Sequence, residues 1–250
     1  YPTNDTTPKT LNDGLVEHLG QENVLFAQGT RLLQTSEEMI KEAVETAKQA
    51  DVLILACGDS GRYCGGGLCD EIVNEPVLCG ENFDMHDIRI PEAQRKLFET
   101  LKNTGKPLVL TLFTGRPNVI VNEFEQSNAV LQAWYPGEMG GLALADILFG
   151  NVNPTGKLCV SFPRSNGHFP CNYNHRKSAR GNFWKKPGTI EKPGKDYVLS
   201  SPKAFLTFGD GLGYVPITYH SIKAKKTDEF TVEVKVTLSN DGAQDTEESV

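Results

Sequence analysis

The segment "TSEEMIKEAVETAKQA" places Met39, Ile40, Ala43, Val44 and Ala47 at helical spacing, and Thr35 with Glu38 has the form of a capping box, so a surface helix is predicted. It runs without a long connection into "DVLILACG", a continuous apolar run of the kind seen in strands covered on both faces. A second cycle follows. "IPEAQRKLFETLKNTGK" has Pro91 at a helix start and Gly105 as its stop, and "PLVLTLFTG" is another buried strand. The rhythm repeats through "NAVLQAWYPG" and the helix "GGLALADILFG". Strands alternating with helices predict an α/β fold, a three-layer sandwich with a mostly parallel sheet. Toward the C-terminus "FTVEVKVTL" alternates at Phe230, Val232, Val234, Val236 and Leu238, the pattern of a strand with one face buried and one wet. A β-sandwich needs about seven such strands, and only one or two precede Val250, so the sequence reads as stopping inside a domain.

In parallel sheets ligands bind beyond the carboxyl ends of the strands. Two of those ends carry polar loops: "CGDSGRYCGGGLCDEIVNEPVLCGENFD" after the first strand and "TGRP", with Arg116, after the second. A connection longer than about 12 to 15 residues without regular structure is more often functional than connective, which draws attention to the first. From about residue 163 a Gly/Pro/Asn-rich stretch supports no periodicity and reads as an ordered excursion around the sheet.

Charge and cysteines narrow the chemistry. With 25 basic against 32 acidic residues the net charge is −7, which disfavours nucleic acid and anionic membranes and suits a neutral substrate. The longest apolar runs fall far short of the roughly 20 residues of a spanning helix. Cys57, Cys64, Cys69 and Cys79 crowd one glycine-rich stretch. Zinc is the sharper reading, but the spacing lacks a CxxC knuckle. One or two loop disulfides fit better, and with the "NDT" glycosylation acceptor at Asn4 they point to a secreted or extracytoplasmic protein. No signal peptide is visible at Tyr1, although a mature secreted chain has already lost one. No metal or other cofactor is expected.

"GKPLVLTLFTGRP", "AWYPGEMGGLALADILFGNVNPTGKLCVSFPRS", "NYNH" and "FGDGLGY" together resemble the second domain of glycoside hydrolase family 3, the β-glucosidases and β-xylosidases. The resemblance implies that residues 1–220 form the family's C-terminal α/β sandwich domain and that residues 221–250 begin a fibronectin type III-like domain. It further implies a retaining β-glycosidase acting on β-linked oligosaccharides or glycosides. An N-terminal TIM-like barrel, on a missing segment or a separate chain, would supply the nucleophile. The family's proton donor is a Glu in a pattern like GEGxDR followed closely by L.LP..Q. Here "GENFDMHDIRIPEAQ" matches at Gly80, Glu81, Asp84, Ile88, Ile90, Pro91 and Gln94, while Met85 stands where the family usually has Arg.

Retaining hydrolysis needs two carboxyl groups about 5 to 5.5 Å apart, one attacking and one protonating. The resemblance assigns Glu81 as the catalytic acid/base. Desolvation by a docked barrel would give that carboxyl the raised pKa a proton donor needs. Asp84, Arg62 and Trp184 are the candidate substrate-binding residues. Asp84 could instead hold its own turn, Arg62 could be a solvated loop residue, and Glu71 and Glu75 are rival donors. Trp134 reads as core packing, Arg116 as an internal clamp, His175 and Arg176 as surface residues, and Glu138 as a cap for the helix starting near Gly140. The alternative is a catalytically inactive, family-derived carbohydrate-binding or structural protein, which Met85 and the Cys-rich insertion favour.

Overall fold

A computed structural model describes residues 8–59, 78, 84–174, 200–201 and 203–249. Helix α1 (Leu11–Leu19) opens on a capping box in which Thr10 and Asp13 exchange side-chain and backbone hydrogen bonds. Helix α2 (Glu37–Gln49) is the amphipathic segment expected from the sequence. Its cap is Ser36 rather than Thr35: the Ser36 hydroxyl accepts from Met39 N at 3.2 Å, while the Thr35 hydroxyl donates to Gly29 O at 2.9 Å. Thr35 is one residue too early for the first turn, and tying down Gly29 is its alternative.

Strand β1 (Leu53–Gly58) leads to α3 (Glu92–Lys102), β2 (Leu108–Phe113), the short α4 (Val121–Gln126), β3 (Ala129–Gln132) and α5 (Gly140–Leu148). Helix α3 starts directly after Pro91, and Gly105, at φ 74°, follows it. The three strands are parallel, in the order β1-β2-β3, with Leu55 opposite Leu110 and Leu110 opposite Val130. The chain is thus α/β, as its pattern predicts.

Parallel register puts Leu53, Leu55 and Cys57 on the same sheet face as Leu108, Leu110 and Leu112. Ala43 and Ala47 of α2, and Leu97, Phe98 and Leu101 of α3, close over that face to form the core. Leu110 and Leu112 are fully buried, each contributing roughly 1.5–3 kcal/mol of apolar transfer. The other face of β1 is less covered. Ala56 is exposed and Ile54 half-buried, because among the described residues β1 is an edge strand. The apolar run therefore overstates its cover.

Helices α1 and α5 cross at two glycines. A Cβ on Gly14 would sit 2.4 Å from Gly141 O, and one on Gly141 would sit 2.0 Å from Thr10 O. The backbones touch directly, joined by Gly141 N to Lys9 O at 3.1 Å and by His18 Nε2 to Asp146 Oδ1 at 3.1 Å. The N-cap of α5 is Met139, with no side-chain cap hydrogen bond, and the carbonyl of Glu138 accepts from Lys9 N at 2.8 Å.

Strands β4 (Ile217–Lys226) and β5 (Val232–Asn240) form an antiparallel hairpin. Ile222 opposite Val236 and Ala224 opposite Val234 make one apolar face, as the alternation predicts. That face is not buried, however: Ile222 is 73% and Val234 55% exposed, since no described residue lies over it. The expected disulfides are likewise not formed by Cys57, Cys159 or Cys171, which are free. Cys57 is enclosed in the core, where burial and the nearby charge of Glu123 push its thiol up to about 12. Cys64, Cys69 and Cys79 lie outside the described residues.

Candidate functional site

The carboxyl ends of the three strands converge on Asp59, the first polar residue after β1. Its backbone N–H donates to Phe113 O at 2.9 Å, which prolongs the β1–β2 ladder by one residue. Its Oδ1 accepts from Gly115 N at 3.1 Å, just beyond β2, and from the hydroxyl of Tyr135, just beyond β3. Its Oδ2 is buried and has no hydrogen-bond partner among the described residues. Close by, Gln132 Nε2 donates to Thr114 Oγ1 at 3.0 Å and the Thr114 hydroxyl donates to Arg116 O at 3.1 Å. Gln132 Oε1 is also buried, with no partner among the described residues.

Trp134 brings Tyr135 into this group. Its φ of 54° lies in the left-handed region that bulky residues rarely enter, a conformation costing on the order of 1–3 kcal/mol. The Trp134 side chain packs against the core, 6.0 Å from Phe162 between ring centroids, so the core-packing expectation holds. The backbone turn leaves Tyr135 half exposed, over Gly115.

Gly58, one residue before Asp59, is held from the other side. Buried Gln94 on α3 accepts from Gly58 N at 2.8 Å and donates to Gly58 O at 2.8 Å and to Leu32 O at 3.1 Å. A cleft of about 450 Å³ adjoins this clamp, lined by Gln28, Thr30, Arg31 and Leu32 together with Ala56, Gly58 and Gln94. Upstream of α3 the backbone is held just as firmly. Ile88 N donates to Asn166 Oδ1 at 3.2 Å, and Ile88 O accepts from Val119 N at 3.1 Å and Asn118 Nδ2 at 3.0 Å. Arg89 and Asn166 both bind Asp87, and the hydrogen bonds from Arg89 hold the Asp87 carboxyl far below the usual carboxylate range.

Of the residues singled out in the sequence, Asp84 is exposed. Glu81, Arg62 and Trp184 lie outside the described residues, as do Glu71, Glu75, His175 and Arg176. Arg116 is half-buried beside Thr114. The motif reading missed Asp59 and Tyr135 and left Gln94 without a role. The available signals were position alone: the first polar residue after a buried strand, and the aromatic that follows the last strand of the sheet.

The profile of the glycosyl hydrolase family 3 C-terminal domain matches residues 3–214. A periplasmic β-glucosidase from Salmonella typhimurium is 38% identical over 217 residues, which are 85% of this chain and 25% of that protein. A β-xylosidase from Formosa agariphila is 32% identical over 234 residues, 92% of this chain and 29% of that protein. Among solved structures, a mutant β-glucosidase from Listeria innocua in complex with laminaribiose superposes with a TM-score of 0.74 at 29% identity, covering 93% of this chain and 30% of that one. A β-glucosidase from Erythrobacter marinus gives 0.74 at 28% identity, covering 97% and 33%. The chain spans between a quarter and a third of the length of these proteins. With the sandwich built as described and the match running almost from end to end of it, the chain belongs to glycosyl hydrolase family 3, with residues 3–214 as its C-terminal domain.

Proposed function

We propose that this chain is the C-terminal part of an extracytoplasmic β-glycosidase of the β-glucosidase type. In this reading the enzyme hydrolyses β-linked oligosaccharides or glycosides with retention of configuration. Glu81 is the acid/base, and a barrel domain elsewhere in the enzyme carries the nucleophile. Asp84, Arg62 and Trp184 contribute to sugar binding, and the β4–β5 hairpin begins a fibronectin type III-like domain.

The observation that carries the reading is where the strand ends meet. Asp59, Gly115 and Tyr135 gather at the carboxyl edge of a parallel sheet, where α/β folds place ligands, and Glu81 belongs in sequence to the connection that follows this strand end. The clamps on Gly58 and Ile88 give a catalytic segment fixed ends, which suits a reaction that tolerates little misplacement of its proton donor. The names of the relatives, β-glucosidases and a β-xylosidase, supply the substrate class.

The chemistry divides the labour. The acid must hold its proton until the glycosidic oxygen departs, and then accept one from water as the glycosyl-enzyme is hydrolysed. A separate domain closing over the sheet end supplies both the second carboxylate and the desolvation that the first requires.

The test is Glu81→Gln in the full-length polypeptide. Hydrolysis of an alkyl β-glucoside, whose leaving group needs protonation, falls about 10²- to 10⁴-fold. The glycosylation step with a 2,4-dinitrophenyl glucoside, whose leaving group does not, falls far less. Equal loss on both substrates removes the acid role from Glu81. A full-length parent that hydrolyses no β-glycoside supports the inactive binding protein that Met85 favours.

A further inference from the structure

Tyr135 is 50% exposed, yet its placement is more constrained than a surface aromatic requires. The left-handed backbone at Trp134 turns the chain toward it. Its hydroxyl donates to Asp59 Oδ1. Gly115 leaves room for its ring: a Cβ there would meet Tyr135 Cε2 at 2.9 Å and Oη at 3.0 Å. Asp59 itself is held by Gly115 N, with its second oxygen buried and without a partner among the described residues. A ring held by its hydroxyl at one edge and open to solvent over half its surface is a preformed amphipathic platform with little rotamer entropy left to lose on binding.

We propose that Tyr135 is a substrate-contact residue, its ring a platform for the leaving-group sugar of a β-linked disaccharide and Asp59 the group that positions it. The inference rests on the hydrolase reading above. A general acid protonates the leaving-group oxygen, so the domain that carries the acid faces the leaving-group side of the scissile bond. A pyranose presents an apolar C–H face and polar hydroxyl edges, which match the ring of Tyr135 and the polar groups around Asp59.

The experiment uses the full-length polypeptide and two substrates: a β-linked glucose disaccharide, and β-glucosyl fluoride, whose leaving group has no ring to stack. Tyr135→Ala raises the KM for the disaccharide about tenfold relative to the KM for the fluoride, a loss of about 1.4 kcal/mol of binding. Gly115→Ala keeps Tyr135 but crowds its ring, and raises the same ratio by a smaller factor. Tyr135→Phe keeps the ring but frees it from Asp59, and raises the ratio by about threefold, between the parent and Tyr135→Ala, which separates the ring's contact from its positioning. An unchanged ratio in both alanine variants, or an equal loss on the two substrates, overturns the proposal while leaving the hydrolase reading in place. If Tyr135→Ala does not fold, Gly115→Ala decides alone. A parent inactive on both substrates overturns both readings together.

Discussion

Replacing Gln94 by methionine, which has nearly the same volume and shape, removes one hydrogen-bonded clamp without opening a cavity. The amide of Gln94 satisfies Gly58 N and Gly58 O at 2.8 Å each and Leu32 O at 3.1 Å. Gly58 and Gln94 are buried, so the two Gly58 groups lose their partners away from bulk water. Leu32 is half-buried at the adjoining cleft, where water can replace the lost bond. An unsatisfied buried polar group costs about 1–3 kcal/mol, which puts Gln94→Met, with two such groups, at about 2–6 kcal/mol. For a domain of this size that is a fall in Tm of about 5–20 °C, readable by circular dichroism. Gln94→Glu supplies a control with a worked sign. In acid the protonated carboxyl can accept from Gly58 N and donate to Gly58 O as the amide does; in base its charge is buried against two carbonyl oxygens. Burial raises the pKa of that carboxyl in the folded state, so this variant matches the parent below the ordinary Glu value and loses stability as pH rises. A Gln94→Met protein melting within about 1 °C of the parent would refute the clamp as a source of stability.

Glu123 is buried on α4, and desolvation raises its pKa, with the field of Arg95 opposing. The folded protein then holds this proton to higher pH than the unfolded chain does, so the stability it contributes is present in acid and lost as pH rises through the raised value. Glu123→Gln flattens that slope, and denaturant midpoints between pH 4 and 8 show it; parallel slopes in the two proteins would rule it out. Gly141→Ala drives a Cβ to 2.0 Å from Thr10 O and forces α1 off α5. The expected cost is about 1–3 kcal/mol, accompanied by faster amide exchange in α1; unchanged protection there would show that the crossing adapts.

Much of the fold was legible because its signals are local. The apolar runs at residues 53–58 and 108–113, the spacing of Met39 to Ala47, and Pro91 followed by Gly105 each name an element from its own residues. Burial of a given face was less legible. The alternation in β5 is real, yet Ile222 and Val234 stand in solvent, because cover depends on what lies opposite and not on the strand. Thr35 and Ser36 are both competent caps by chemistry, and only the entry of the backbone into the first turn chose Ser36.

The candidate site divides the same way. The motif around Glu81 is a string of residues and could be matched in sequence alone, together with the family it marks. Nothing in the string relates Asp59 to Gly115 and Tyr135, which are 56 and 76 residues away and meet through hydrogen bonds between strand ends. By itself the sequence determined the class, the family and the three parallel strands with α2, α3 and α5, though not α1 or the short α4, since periodicity and motif are properties of neighbouring residues. The tertiary structure alone decided which polar atoms share the end of the sheet and which of them pair with one another, because hydrogen bonds act over about 3 Å of space whatever the separation along the chain.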